Sequence, residues 1–138
     1  MIIMLSADIC RLVIRQQPAK LLSRLQAWST AGDEVVISSI TYAELIAGVL
    51  LTENQSAHMA LVEEFCERLE DVVPWNREAV DCYTAIQQQA MQAGHFINMN
   101  DAMVAAHALS LQARLLVLNG KPFAGISGLA LETWSQDQ

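Results

Sequence analysis

Positive charge is scarce in this chain. Eight Lys and Arg stand against fifteen Asp and Glu, a net charge of −7 at pH 7. The overall field therefore repels a polyanion, and nucleic acid cannot be held by net charge alone. Such binding needs a divalent cation or a local cluster of bases. Arg11, Arg15, Lys20 and Arg24, half of the eight, gather in one N-terminal segment; they are either such a cluster or the solvated face of a helix. Long apolar runs are also missing, since none approaches the roughly 20 residues that span a bilayer. "MIIML" is too short for a secretory segment and lacks a basic flank and a small-residue cleavage site. The expectation is a soluble, cytoplasmic protein without membrane contact. Cysteine is limited to Cys10, Cys66 and Cys82, with neither CxxC spacing nor a disulfide framework; Cys66 and Cys82 read as small buried hydrophobes. His58, His95 and His107 lack metal-ligand spacing and read as surface or helix-packing residues. Neither Ser6 nor Cys10 has a base at readable spacing, which argues against covalent catalysis. There is no Gly-rich phosphate loop, internal repeat or low-complexity stretch.

What is present is a sufficient core: 138 residues, 53% hydrophobic, expected to form a single domain over 1–138. Residues 2–7 read as a strand, 9–16 as a short helix stopped by Pro18, 18–30 as a helix, and 34–39 as a β-branched strand. Thr41 with Glu44 has the spacing of a capping box opening a helix. Residues 56–70 carry apolar side chains at helical spacing, and "DVVPW" reads as a short strand at whose end or edge Pro74 sits. Asn76 caps a helix over 76–93 that Gly94 ends, and Asn98 or Asn100 caps the helix in "NDAMVAAHALSLQA". Residues 114–118 are a strand, "NGKPF" a loop, and 129–134 a last short strand. Trp28, Trp75 and Trp134 read as core or interface. Strands alternating with helices predict an α/β fold with a mainly parallel central sheet flanked by helices.

In such sheets ligands bind beyond the C-terminal strand ends. That rule gathers Ser6, Asp8, the 38–44 region and Asn119. Glu44 and Asp101 each fall in the first turn of a helix, where an acid also serves the backbone and macrodipole. Three acids from separate segments repel one another unless a cation or a shared proton intervenes. Their hard oxygens suit Mg²⁺ or Mn²⁺, which can activate water and neutralise charge on a phosphodiester.

Several segments, in order, carry a more specific pattern. "SSITYAEL" ends on Glu44, "FINMNDAMVAAHAL" contains Asp101, and "RLLVLNGKPF" is followed by "GLALETW". The chain resembles the PIN-domain ribonucleases, specifically the VapC-type toxins of bacterial toxin–antitoxin pairs and among them the VagD-like toxins. The resemblance covers nearly the whole chain. It implies a three-layer PIN-like fold, Mg²⁺- or Mn²⁺-dependent endoribonuclease activity on RNA such as tRNA, a homodimer, and a cognate antitoxin-like partner. Glu44 and Asp101 stand at the family's acids. The first motif departs: "LSAD" puts Ser6 at the catalytic Asp and Asp8 where Asn is usual. The fourth departs as well, with Asn119 and Gly120 in place of Asn-Asn or Asn-Asp. Asn98 and Met99 replace a common Gly-Pro. On an extended strand residues 6 and 8 share a side but lie about 6–7 Å apart, so Asp8 substitutes for the missing carboxylate only after rearrangement. The expectation is a catalytic and metal-binding set of Glu44, Asp101 and Asp8, with activity weakened or lost through Ser6 and Gly120 and metal binding weak or absent. The alternative is an inactive PIN-fold binding or regulatory protein that keeps the dimer and partner surface.

Overall fold

β-Branched and long aliphatic side chains alternate along the strands, and that alternation decides the architecture. In the computed structural model, which describes residues 1–135, Ile3 and Leu5 face one side of the sheet and Met4 the other. Val35 and Ile37 oppose Val36 in the same way, and Leu116 opposes Leu115 and Val117. A sheet apolar on both faces must be covered on both. The strands are β1 (Ile2–Leu5), β2 (Glu34–Ser38), β3 (Asp71–Val73), β4 (Arg114–Val117) and β5 (Ala130–Thr133). They run in the order β3-β2-β1-β4-β5, every neighbour parallel.

Helices α1 (Ala7–Ile14), α2 (Ala19–Thr30), α3 (Ser39–Leu50) and α4 (Gln55–Glu67) pack on the first face through Ile9, Leu21, Leu45 and Phe65. Helices α5 (Arg77–Gln92) and α6 (Met99–Leu111) cover the second through Ile86 and the alanine-rich stripe of α6. The three-layer expectation holds, and the sheet is parallel throughout. The last three residues of the expected 1–138 domain lie outside the described residues. No helix among the described residues is long and apolar enough to cross a membrane.

Most element expectations hold within two residues, including the edge position of β3 before Pro74 and the Asn76 cap of α5. Asn98, rather than Asn100, caps α6: its Oδ1 accepts from the backbone N–H of Asn100 (2.9 Å) and Asp101 (3.3 Å). Two expectations are corrected. The first strand ends at Leu5, not residue 7, because Ser6 caps α1 and turns the chain into a helix; Asp8 thus lies in a helical first turn, and the extended-strand spacing to Ser6 does not apply. The Thr41–Glu44 capping box is not made. Ser38 caps α3 instead, its Oγ accepting from Ile40 N (3.1 Å). Thr41 is buried inside the helix, and Glu44 is a second-turn residue. The three tryptophans take separate places. Trp134 is buried, Trp28 packs against the first core face under the Arg24 guanidinium (4.9 Å), and Trp75 donates its Nε1–H to Met103 O (3.0 Å).

Candidate active site

The carboxyl ends of β1, β2 and β4 open on one cleft of about 130 Å³. Its polar lining is Ser6, Asp8, Glu44, Asp101 and Asn119; Ala7, Val104, Val117, Pro122 and Phe123 supply the apolar wall. Of the 38–44 region only Glu44 lines the cleft, and Gly120 lies one step outside it. A Cβ at Gly120 would stand 2.9 Å from Thr133 Oγ1 and 3.4 Å from Leu131 Cδ2. That position is shaped by the close passage of β5, and a larger residue there must push the strand's side chains aside.

Each acid reaches the cleft differently. Asp8 is mostly exposed and paired with Arg11, one turn along α1 (3.1 Å). Glu44 is half-buried, and its carboxyl is pushed above the usual carboxylate range. Desolvation is the main cause; the nearby Arg11 guanidinium opposes it, and the charges of Asp101 and Asp8 add to it. Asp101, in the first turn of α6, is raised by burial and then by Asp8. The mutual effects show three carboxylates sharing one field, with Arg11 their single compensating charge among the causes of these shifts. Ser6 spends its Oγ on the helix cap, accepting from Ile9 N at 3.5 Å. Asn119 Oδ1 accepts from Lys121 N (3.1 Å), which leaves its amide N–H groups as donors at the lip of the cleft.

The basic N-terminal segment is not one free patch. Arg11 is tied to Asp8, and Arg24 to Glu132 (2.6 Å), which Arg114 also holds (3.1 Å). Cys10 is fully buried and Cys66 and Cys82 are partly so; all three are free thiols, and burial raises the Cys10 thiol far above its ordinary range. His58 is exposed, its Nδ1 2.8 Å from Asn54 O.

His107 has a sharper role than helix packing. It is buried on α6, and its Nδ1 lies 2.7 Å from Ser38 Oγ at the end of β2. One hydrogen bond thus ties the helix carrying Asp101 to the cap of the helix carrying Glu44. Its Nε2 is buried without a partner among the described residues, and burial lowers the imidazole pKa. The partner is 69 residues away in sequence; the only local signal was a histidine in an alanine-rich helix.

The PIN domain family matches residues 14–129. This chain is a PIN-domain protein. It is 30% identical over 136 residues to Ribonuclease VapC2 of Rickettsia felis, covering 99% of this chain and 100% of that relative, which places it in the VapC branch. It is 29% identical to the tRNA(fMet)-specific endonuclease VapC of Shigella flexneri, covering 96% and 97% of the two chains. The crystal structure of VapBC2 from Rickettsia felis, bound to a DNA fragment from its promoter, superposes with a TM-score of 0.93 at 30% identity, covering 98% of this chain and 100% of that one.

For a VapC-family PIN domain the question is whether this cleft suits a divalent cation. Among the described residues no group of three His, Cys, Asp or Glu side chains is placed to hold one. The reason is visible in Asp8, which turns toward Arg11 and solvent. Glu44 and Asp101 remain, half-buried and short of counter-charge. That donor set fits Mg²⁺, which keeps several waters and takes one or two protein carboxylates. It fits weakly, because the neutral Ser6 adds no charge.

Proposed function

We propose that this VapC-family protein is a divalent-metal-dependent endoribonuclease whose metal affinity, and with it its turnover, is reduced by Ser6. The observation that carries the reading is the pair Glu44 and Asp101 in one cleft, each carboxyl raised by burial and by a neighbouring carboxylate. Glu44 and Asp101 would hold Mg²⁺ or Mn²⁺, with Asp8 an outer contributor. Bound there, the cation supplies water activation and neutralisation of the phosphodiester's developing charge.

The residues do the rest. With the cation held by Glu44 and Asp101, a carboxylate oxygen that does not bind it would accept the proton of the attacking water. Asn119 donates its free amide N–H to a phosphate oxygen. Ser6 lines the cleft while its oxygen caps α1, so its O–H would be free to donate to the substrate. Val104, Val117 and Phe123 form an apolar wall that strengthens these polar contacts.

The relatives act on RNA by name, one of them on tRNA(fMet), and a structured RNA such as tRNA is the proposed substrate class. The solved VapBC neighbour supports a cognate antitoxin-like partner. We further assign residues 1–138 to a single domain that forms a homodimer in the cytoplasm. The decisive experiment is a Mn²⁺ titration by calorimetry together with a cleavage assay on a tRNA pool, using one preparation. Metal binding with slow cleavage supports the reading. Neither binding nor cleavage favours the inactive partner-binding alternative, for which the Asp8–Arg11 pair and the capping use of Ser6 already speak.

A further inference from the structure

The short 3₁₀ turn Lys121–Phe123 is a partition. On one side Pro122 and Phe123 wall the acidic cleft. On the other lies a second, larger cleft of about 370 Å³, and Pro122 belongs to both. Ile86, Ala90, Ile97 and Ile126 make its walls apolar, while Lys121 and His95 stand at its polar edge. Its volume is in the range of pockets that enclose small organic ligands.

Four observations limit the occupant. Lys121 takes part in no ion pair among the described residues, although acids outnumber bases nearly two to one. Its backbone N–H is held by Asn119 Oδ1 (3.1 Å), which fixes the cation's root at the partition between the two clefts. Gln89, also on the lining, gives its Nε2–H to Ser127 Oγ (2.9 Å), so its Oε1 is left as an acceptor. Beside the cleft, between lining residues His95 and Ile97, Phe96 is 85% exposed, an aromatic face turned to solvent. A flat heterocycle with one negative charge at its edge meets all of these: apolar walls for the ring, an acceptor for an exocyclic amino group, a cation for the charge, and an aromatic face for a neighbouring ring.

We propose that this second cleft is a base-binding subsite. The unpaired nucleotide next to the scissile phosphodiester seats its base there, Lys121 contacts the phosphate between the two clefts, and Phe96 stacks on the following base. The inference rests on the endoribonuclease reading and deepens it: the preferred substrate strand is unpaired at the cut, because extruding a paired base into the cleft costs a few kcal/mol of stacking and pairing.

The test uses the full chain and a labelled single-stranded oligoribonucleotide that it cleaves, with one abasic ribose walked along the strand. Binding is read by fluorescence anisotropy in EDTA, and cleavage separately in Mn²⁺. One abasic position adjacent to the cut is expected to weaken binding about tenfold. The cleft-filling variant Ala124→Trp, at an exposed lining residue, should remove that sensitivity. Lys121→Gln should weaken every RNA alike and lower the salt dependence by about one phosphate contact. RNA cleaved with equal indifference to every abasic position overturns the subsite and leaves the nuclease standing. RNA neither bound nor cleaved overturns both. A change of oligomeric state in Ala124→Trp, with no abasic effect, also overturns it and makes this face a contact between copies. Because the abasic series needs only the native protein, a variant that fails to fold does not remove the test.

Discussion

Replacing Glu44 by Gln should make the metal-free protein more stable. Glu44 lies beyond the first turn of α3, so neutralising it forfeits little of the helix-dipole interaction, which fades within one turn. What is removed is the cost of a half-buried charge facing Asp101 and Asp8, less its attraction to Arg11. Arg11 is already engaged by Asp8 at 3.1 Å, so the attraction is the smaller part. After discounting for solvent screening, the net gain is about 0.5–1 kcal/mol. For a chain of this size that is roughly 2–4 °C in melting temperature. The pH dependence fixes the sign. A carboxyl raised above its unfolded value contributes stability that is fully present below the unfolded pKa, about 4.3 for Glu, and lost as pH rises through the folded pKa. The advantage of Glu44→Gln should therefore vanish below about pH 4, grow as pH rises through the folded pKa, and level off above it. Asp101→Asn should come out near zero, because relief of repulsion is offset by a first-turn dipole loss of about 0.3–1 kcal/mol. The double variant should gain less than the sum of the singles, with coupling above about 0.5 kcal/mol that disappears in Mg²⁺. Thermal melts at several pH values supply all of these quantities. A destabilised Glu44→Gln, additive with Asp101→Asn and indifferent to Mg²⁺, would refute the shared cleft.

Ser6→Asp should fold normally, since Asp caps a helix as well as Ser does, and should bind Mn²⁺ more tightly; calorimetry showing no gain would place the metal elsewhere. His107→Phe loses the 2.7 Å bond to Ser38 but also a buried Nε2 with no partner among the described residues. A net bond of about 1 kcal/mol against an orphan costing about 1–3 kcal/mol leaves the variant between unchanged and about 2 kcal/mol more stable at neutral pH. Because burial lowers the folded imidazole pKa, the wild type loses stability as pH falls from about 6.5 through that pKa, and the variant should escape this part of acid denaturation. Gly120→Ala should cost about 1 kcal/mol by overpacking, recovered in part by Thr133→Ala; denaturant melts of the cycle decide it. Light scattering at tens of micromolar should find a dimer, and a monomer would count against the homodimer.

The fold was legible because its signals are local and agree with one another. Alternation of apolar residues marked the strands, Asn76 and Asn98 marked helix starts, and Pro74 marked the edge strand. The rule of carboxyl strand ends then collected side chains that line one cleft. What failed were choices between neighbouring local signals. Ser38 and Thr41 are both good cap residues. Ser38 wins because it sits where β2 ends and His107 meets its hydroxyl, a contact no sequence window contains. Ser6 likewise reads equally well as a strand terminus or a cap, and the choice redirected Asp8 from the cleft floor toward Arg11. The apolar cleft behind Pro122 was invisible, since its lining comes from α5, the 95–97 segment and the loop after β4.

The place of β1 in the sheet has a consequence for when the cleft comes into being during synthesis. β1 pairs with β2, some thirty residues on, and with β4, about a hundred and ten residues on, Ile3 opposite Glu34's neighbour Val35 on one side and Arg114 on the other. On the ribosome the first half of the cleft, Ser6, Asp8 and Glu44, can assemble early. Asp101 and Asn119 arrive only when α6 and β4 have been made and β4 has closed the free edge of β1 through a long loop closure, which is slow. Until then one edge of the central strand is open and the acids that would hold a cation are not together. A nascent or truncated chain thus lacks the assembled cleft, and its open edge is the stretch most exposed to pairing with another chain.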